Sequence, residues 1–474
     1  MPQASEASRE VVSSVLERRL GPLDAAALIV SNVIGGGILF TPPQVAALVP
    51  DAWLFLSTWI AGGALAFAGA MAYAELAALR PRAGGEYVYL REAFGEGAAF
   101  LTGWTSFVAG FSGAIATSAV VMVFYLGRFA PALAGGPWLV VPIVPGAVVL
   151  TISPQTLTAV AIIAAMASLH RRGLGPGRVV GNLLASLKVT AFALFIAVGF
   201  AWGSGTVAHL SERAAVGAGS WLLALIPVMF TYSGWNAAAY VAEEIRDPGR
   251  NVPRALALGT AAVVLIYVLM NALYLYVIPA RELAAVDRSV LDIIADRLLG
   301  SYAGNIMGVV SIISLAASIS AMTLAGPRVY YSMGRDGLFF RRTGIVHPRY
   351  RTPSSSIIAQ AAWSSLLVLT ATADALVTYT GFAIVLFSGM AVVALFVLRR
   401  RMPDAPRPFR AWGYPLAPAI YAVASFAILV NGLYRAPGAT GAGALIIAAG
   451  LPMYFLFRRK LPNPKSQTPN PNTV

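Results

Sequence analysis

Long apolar stretches alternate with short polar segments along almost the whole chain. A window of about 20 apolar residues is long enough to cross a bilayer as an α-helix. The pattern predicts twelve such spans, at residues 23–46, 52–78, 98–126, 154–170, 179–202, 219–242, 254–278, 302–332, 354–372, 375–398, 414–434 and 439–457. The apolar but proline-interrupted region 128–153 is interpreted as an extracellular loop. The hydrophobic pattern therefore predicts an all-α polytopic membrane protein with twelve transmembrane helices.

Two of these spans are interrupted by small residues near mid-depth. The first break is the string VIGGGI at 33–38, and the second is FTYSGW at 230–235. Backbone groups that leave a helix inside hydrocarbon persist only where protein, water or a ligand satisfies them. Glycine also serves close helix packing, which is the alternative for either break alone. A pair of breaks in corresponding spans, however, is the best indication in a sequence of a transporter binding site.

The two breaks also predict an inverted internal repeat. Gly36 and Gly234 lie 198 residues apart, and five intervening spans make the second copy enter the membrane from the opposite side. Amphipathic connectors at 85–94 and 288–299 occupy equivalent places in the two halves. The predicted organisation is an N-terminal tail (1–20), two five-helix repeats (21–205 and 214–402), helices 11 and 12 (403–460) and a disordered tail (461–474).

Charge fixes the expected orientation. The chain has 34 Lys and Arg against 20 Asp and Glu, and the basic residues collect in both tails and in alternate loops. Because short cytoplasmic loops gather positive charge, both termini are expected in the cytoplasm. The net charge of +14 then indicates topology and attraction to anionic lipid in the bilayer, and no nucleic-acid partner is predicted. The absence of cysteine excludes disulfides and thiolate metal sites.

The breaks suit a ligand with two opposite charges. Amides of Gly35, Gly36 and Gly37 at a helix start favour a carboxylate. Carbonyls freed near Phe230, Thr231 and Ser233 would accept from an ammonium group. A free amino acid satisfies both breaks. No catalytic residue, metal site or cofactor is predicted, because neither a cluster of histidines and acids nor a nucleotide motif occurs in a supporting context.

Lys188 is the one basic residue far from both ends of a predicted span. An intramembrane charge is a functional candidate, either as a proton carrier or as a fixed cation in place of a metal ion. The alternative is a lysine that snorkels to the interface. Glu75, Glu243 and Glu244 lie at span ends, where they are expected to form salt bridges at gates or loops or to be simple interfacial charges.

Four strings carry a family resemblance: VSNVIGGGILFTP in span 1, AYAELAALRPRAGGEYVYLREAFG after span 2, FTYSGWNAAAYVAEEIRDPGRNVPRAL through span 6 and LRRRMPDAPRPFRAWGYPLAP after span 10. Together they resemble the amino acid–polyamine–organocation superfamily, and most closely its L-type amino acid transporter family. The resemblance implies a LeuT-type fold, with a 5+5 inverted repeat and two added C-terminal helices. It also implies amino acid transport by alternating access.

The resemblance further implies roles for individual residues. It assigns the substrate carboxylate to the amides of the first break, the amino group to the carbonyls of Val33, Phe230 and Ser233, and a gating role to Phe230. Lys188 matches a lysine that stands where sodium-coupled relatives hold an ion. The predicted substrate-binding residues are Val33, Ile34, Gly35, Gly36, Gly37, Phe230, Thr231, Ser233, Trp235 and Asn236. For Trp235 and Phe230, the alternative to a role in substrate binding is ordinary packing in the protein core.

Two departures from the family pattern qualify this resemblance. Many relatives carry Ser or Thr where this chain has Gly36, so the backbone alone must hold the carboxylate. Animal members use a loop cysteine to attach a heavy chain, and this chain has none, so no disulfide-linked partner is expected. An autonomous permease of the cell membrane is therefore predicted.

The predicted function is secondary-active transport of neutral L-amino acids, as an exchanger or a proton-linked carrier. The preference for neutral substrates depends on the lack of Asp or Glu near both breaks. A carrier of cationic amino acids or polyamines is the alternative within this class. From other classes, a membrane enzyme or a nutrient sensor is disfavoured, because the spans hold no convergent acid–base residues and no segment is long enough for an output domain. The sequence leaves the particular amino acid and the oligomeric state open.

Overall fold

The computed structural model describes residues 16–144, 148–286, 289–370 and 373–458. The predicted tail 461–474, and most of the predicted tail 1–20, lie outside these described residues. The first half of the described chain contains α1 (Pro22–Val33), α2 (Gly36–Leu48), α3 (Ala52–Leu79), α4 (Glu86–Phe94), α5 (Glu96–Thr105), α6 (Phe111–Gly127), β1 (Leu139–Val144), β2 (Val148–Ile152), α7 (Pro154–Arg171) and α8 (Leu174–Trp202). A π-helical segment, Ser106–Gly110, joins α5 to α6.

The second half is helical throughout its described part. It contains α9 (Ala218–Tyr232), α10 (Ala237–Tyr240), α11 (Pro248–Val277), α12 (Ala280–Ala284), α13 (Val290–Leu299), α14 (Ser301–Arg335), α15 (Ser354–Leu369), α16 (Ala373–Arg401), α17 (Leu416–Arg435), α18 (Pro437–Ala448) and α19 (Gly450–Arg458). Short 3₁₀ helices lie at Pro131–Ala134, Val207–Ser211, Ala242–Glu244 and Arg341–Gly344.

Eight helical segments of the described chain are long and apolar enough to cross a membrane, and the bent pair of α1 and α2 makes a ninth. Two further helices, α9 and α15, are apolar but shorter. The protein is therefore a multi-pass helical membrane protein. Each of these segments overlaps a predicted span, and α7 occupies the predicted fourth span.

The predicted all-α class is wrong for one short region. Within the expected loop 128–153, β1 and β2 form an antiparallel hairpin that pairs Leu139 with Ile152 and Val141 with Leu150, with an irregularity between Pro142 and Val144. This region is rich in valine and isoleucine, which favour strands. Pro142 cannot continue a helix, whereas a two-stranded ribbon accepts it at an edge position. The apolar pattern alone did not separate a strand from an interfacial helix.

An aromatic cluster joins three helices beside the second break. Trp59 of α3 packs against Tyr232 at the end of α9 and Tyr267 of α11, with ring centroids 6.2 and 6.0 Å away. The Tyr232 hydroxyl donates to the Trp59 carbonyl at 3.0 Å. All three side chains are fully buried. Because buried aromatic pairs add to area burial, this cluster fixes where α9 stops relative to α3 and α11.

The acidic residues at span ends are paired, which confirms that they form salt bridges. Glu75 is completely buried, accepts from Arg399 at 2.5 Å and forms an ion pair with Arg407 at 3.1 Å. Glu243 pairs with Arg335 at 3.2 Å. The interpretation of Glu75 as a simple interfacial charge is therefore wrong, because this carboxylate ties α3 to the end of α16 and to the loop that follows.

Glu244 and Arg328 form the most enclosed of these pairs in the described chain. The guanidinium donates two bonds to the carboxylate, at 2.8 and 2.9 Å, and both side chains are essentially unexposed. A third bond runs from Arg328 to the Leu324 carbonyl at 2.6 Å. The backbone amides of Arg19 and Leu20 donate to the Glu244 carbonyl at 2.9 Å. The pair thus links the end of span 6 to α14 and to the segment before α1.

Breaking this pair on one side is expected to destabilise the protein strongly. Arg328→Met leaves the Glu244 charge buried alone, which costs about 3–5 kcal/mol. Thermal unfolding of the purified protein, followed by size-exclusion chromatography, should show a clearly lowered melting temperature, and Arg328→Met with Glu244→Gln should recover part of the loss. Arg297→Met, at the exposed pair with Glu282, is the control and should cost about 1 kcal/mol or less. Equal melting of Arg328→Met and Arg297→Met would contradict this account.

Candidate functional site

The first break lies where the sequence predicts it. Helix α1 ends at Val33, α2 begins at Gly36, and their axes are bent by 46°. Ile34 and Gly35 have left the helix, with ψ of 94° at Ile34. The carbonyls at the end of α1 and the amides at the start of α2 therefore lack their usual partners within a helix.

Side chains from two other helices satisfy the carbonyls of this break. The Ile34 carbonyl accepts from the Lys188 ammonium of α8, and from the Ser314 and Ser318 hydroxyls of α14 at 3.2 and 3.0 Å. The Ser31 carbonyl, one turn earlier, accepts from Lys188 at 3.1 Å and from Ser318 at 2.8 Å. These contacts give the unwound segment the internal partners that a broken membrane helix requires.

Lys188 is completely buried and does not reach an interface, so the snorkelling interpretation is wrong. Its ammonium has three donors, and the structure places three acceptors around it: the Ser31 carbonyl, the Ile34 carbonyl and, at 3.4 Å, the Ser318 hydroxyl. All three acceptors are neutral. Lys188 thus lies between spans 1 and 8, and both of its roles, proton carrier and fixed cation, stay predictions.

The amides of the first break are different from its carbonyls. In the described part of the chain, no acceptor contacts the backbone N–H of Gly35, Gly36 or Gly37. Gly36 and Gly37 form the first turn of α2, where unpaired amides and the positive end of the helix dipole coincide. The first break therefore presents donors but few acceptors, which is the chemistry of an anion site.

The second break begins three residues later than predicted. Phe230, Thr231 and Tyr232 are still helical in α9, and the chain departs at Ser233, whose amide donates to the Phe230 carbonyl at 3.0 Å. Gly234 has φ of +98°, a conformation that favours glycine and turns the chain sharply. The predicted boundary was wrong because Phe230 to Tyr232 are held helical by the aromatic cluster that α9 joins at Tyr232, a contact that apolar periodicity does not reveal.

The two breaks touch one another. A Cβ placed on Gly37 would come within 2.9 Å of the Thr231 methyl and 3.1 Å of its Cα. A Cβ on Gly234 would meet the Asn32 side chain at 3.0 Å. The absence of side chains at Gly37 and Gly234 is therefore what allows spans 1 and 6 to approach at the point where both are unwound.

Tyr267, which the sequence analysis missed, connects the two breaks. Its buried hydroxyl lies 2.8 Å from the Val33 carbonyl and 3.2 Å from the Thr231 carbonyl. One proton is shared between two acceptors, so both carbonyls keep capacity for a further donor. The Ser233 carbonyl receives no hydrogen bond from the described residues. Tyr267 carries no sequence signal of this role, because a tyrosine in an apolar span is equally a core residue.

The remaining predicted residues divide into two groups. Trp235 is buried and packs at 4.8 Å, centroid to centroid, on Tyr73 and at 6.2 Å on Tyr421, which is a packing role. Phe230 is half-buried at the end of α9. Asn236 turns away from the first break and donates to the Glu86 carboxylate at 2.7 Å.

Glu86 is a second residue that the sequence analysis missed. It is the first residue of α4, which follows Gly84 and Gly85, both with positive φ. Its carboxylate accepts from the Tyr73 hydroxyl at 2.6 Å as well as from Asn236. The signal that was available is an acidic residue directly after a glycine pair, at the start of an amphipathic connector.

These observations define a class of protein: a multi-pass membrane protein in which two broken helices meet and leave backbone groups without partners among the described residues. The family model for amino acid permeases matches residues 20–457, and the chain belongs to this family. The family is one of transporters. The resemblance to the amino acid–polyamine–organocation superfamily, and to its L-type members, is thereby confirmed.

Several characterised proteins are similar to this chain over nearly its full length. The serine/threonine exchanger SteT of Bacillus subtilis is 29% identical over 450 residues, which cover 94% of this chain and 98% of that protein. The human large neutral amino acids transporter small subunit 2 is 28% identical, over 95% of this chain and 83% of that protein. The human Asc-type amino acid transporter 1 is 26% identical, over 93% and 82% respectively.

Neighbouring glycines of the first break should respond differently to the same substitution. In Gly37→Ala the new methyl meets the Thr231 backbone, and such overpacking costs about 1–3 kcal/mol. In Gly36→Ala the methyl has only Leu315 Cδ2 near it, at 3.9 Å. Initial rates of amino acid exchange in proteoliposomes should fall about tenfold or more for Gly37→Ala, since about 1.4 kcal/mol is one decade. Gly36→Ala should stay close to the parent protein, and the reverse order would contradict the contact between the breaks.

Proposed function

We propose that the protein exchanges neutral L-amino acids across the cell membrane by alternating access, with the substrate held at the two breaks. The observation that carries this proposal is that unpaired amides and carbonyls with free acceptor capacity lie where the two breaks touch. Unpaired amides of Gly35, Gly36 and Gly37 take the carboxylate, and the carbonyls of Val33 and Ser233 accept from the ammonium group. A zwitterion is neutral overall, so it needs no charged side chain of the protein.

The names of three similar proteins support an amino acid substrate, and the first two of these names support a neutral one. Their names describe a serine/threonine exchanger, a transporter of large neutral amino acids and an Asc-type amino acid transporter. The first of these also supports exchange as the mode of transport. The alternative of a cationic amino acid or polyamine carrier has no comparable support among these names. For Ile34, Thr231, Trp235 and Asn236 the proposed role is structural and not substrate binding. The Ile34 carbonyl is bound by Lys188, and Trp235 is packed among aromatic side chains.

The proposed architecture is twelve membrane spans, with a 5+5 inverted repeat of the LeuT type and two added helices. Matching connectors support it: α4 is followed by Gly95 with φ of +90°, and α13 by Gly300 with φ of +84°, before the next long helix in each half. Residues 287 and 288, at the start of the second predicted connector, lie outside the described residues. Two broken spans in contact fit the same repeat.

The proposed location is the cell membrane, with both termini in the cytoplasm. The distribution of arginine supports this orientation. Positive charge collects at the span ends that the sequence pattern puts on one side, at Arg80, Arg246, Arg335 and Arg399. Since the chain has no cysteine, it is proposed to work without a disulfide-linked heavy chain.

Counterflow in proteoliposomes tests this function. Vesicles loaded with serine, leucine, arginine or putrescine are offered labelled serine or leucine outside. Loading with either neutral amino acid should accelerate uptake several-fold, whereas arginine, putrescine and empty vesicles should not. Gly36→Phe, which fills the amide end of the first break, should abolish exchange, with Gly36→Ala as its matched control. Stimulation by arginine or putrescine, or normal exchange by Gly36→Phe, would contradict the proposal.

A further inference from the structure

Glu86 is a half-buried carboxylate with no basic partner among the described residues. No Lys, Arg or His lies within ion-pair distance of it in that part of the chain, whereas Glu75, Glu243 and Glu244 each face an arginine. A carboxylate partly withdrawn from water, with no cation beside it, is stabilised by its hydrogen-bond donors and gains affinity for a proton when those donors leave. The other acidic residues at span ends therefore do not share its chemistry.

The hydrogen-bond donors to Glu86 come from three different elements, and all are neutral. Tyr73 of α3 donates at 2.6 Å, Asn236 of the second break at 2.7 Å and Thr102 of α5 at 3.5 Å. Tyr240 of α10 lies beside them and accepts from Asn236 at 3.1 Å. Tyr89 on α4 itself and Tyr421 of α17 complete the surroundings.

The hydrogen bond from Asn236 links the Glu86 carboxylate to the broken span 6. Asn236 lies at the end of the second break, directly before α10. Of the three donors to Glu86, Asn236 belongs to span 6, and Tyr240 of the same span accepts from Asn236. Any movement of this part of span 6 relative to α4 removes a donor from the carboxylate. Its affinity for a proton must then rise, because hydrogen bonds to a carboxylate favour the ionised form.

We propose that Glu86 is a proton-binding site of the transport cycle, which takes up one proton from water when span 6 withdraws Asn236 and returns it when the contact forms again. This inference deepens the proposed function and rests on it: exchange of neutral amino acids then depends on pH through one carboxyl group.

The electrostatics of the site agree with this assignment. Burial raises the pKa of the Glu86 carboxyl above its usual range, against the opposing effect of hydrogen bonds from Tyr73, Asn236 and Thr102. A raised pKa means that the folded protein holds this proton at a pH where an exposed glutamate has lost it. Glu86 therefore contributes stability that decreases as pH rises towards its folded pKa.

The test is the pH profile of exchange in proteoliposomes with equal pH on both sides. The parent protein should show one titration limb, and Glu86→Gln, which cannot ionise, should show a flat profile. Glu92→Gln, on the same helix at the surface pair with Arg80, is the matched control and should reproduce the parent profile. A parent profile that is itself flat, or a Glu86→Gln profile identical to the parent's, would overturn the proposal.

A pair of tyrosines gives a second and subtler comparison, which stands even if Glu86→Gln fails to fold. Tyr73→Phe removes one donor to the carboxylate, so the limb should move to higher pH by about one unit, the effect expected from loss of one hydrogen bond to a charged group. Tyr89→Phe removes a hydroxyl that has no hydrogen-bond partner in the described structure. It should leave the limb in place, and equal shifts for the two variants would contradict the assignment.

Infrared difference spectra separate this proposal from the proposed function. Lowering the pH of the purified protein should produce a protonated-carboxyl band that is missing from Glu86→Gln and present in Glu92→Gln. If this band is found but no amino acid exchanges at any pH, the transport function fails and the proton site stands. If exchange occurs and no band is assigned to Glu86, the proton site fails alone.

Discussion

The rest of the site depends on how the unwound backbone of span 1 is satisfied. Inside a membrane, Ile34 and Ser31 cannot leave their carbonyls unpaired, and the Lys188 ammonium with the Ser314 and Ser318 hydroxyls supplies the missing donors. These donors occupy the acceptors of the break and leave its amides without partners among the described residues. The break therefore exposes mainly hydrogen-bond donors, as the proposed carboxylate site requires.

The second break is fixed by a separate set of contacts. Tyr267 spans the Val33 and Thr231 carbonyls and so sets the distance between the breaks, while the buried Trp59 and Tyr232 rings hold the end of α9. On its other side, Asn236 is bound to Glu86. The two breaks are thus held in place by α3, α8, α11, α14 and the α4 connector, and not by spans 1 and 6 alone.

The membrane spans, both breaks and the burial of Lys188 could be predicted because each leaves a local signal: apolar length, small residues at mid-depth, and a charge in an apolar stretch. The hairpin at Leu139–Ile152 could not, because a short valine-rich run fits a strand or an interfacial helix equally. The roles of Tyr267 and Glu86 were missed for a different reason. Tyr267 contacts Val33 across 234 positions of the chain, and Glu86 contacts Asn236 across 150. Only tertiary packing creates such contacts. The late start of the second break at Ser233 has the same origin, since α9 is extended by its partners.

The most direct test of the central claim compares ligands that differ only in the carboxylate. The thermal stability of the purified protein is measured with serine against ethanolamine, and with leucine against isoamylamine, because a ligand that binds the folded state raises its melting temperature. If the amides of Gly35, Gly36 and Gly37 hold the carboxylate, serine or leucine will raise the melting temperature and the corresponding amines will not. An amine that stabilises the protein as well as its amino acid would contradict the account.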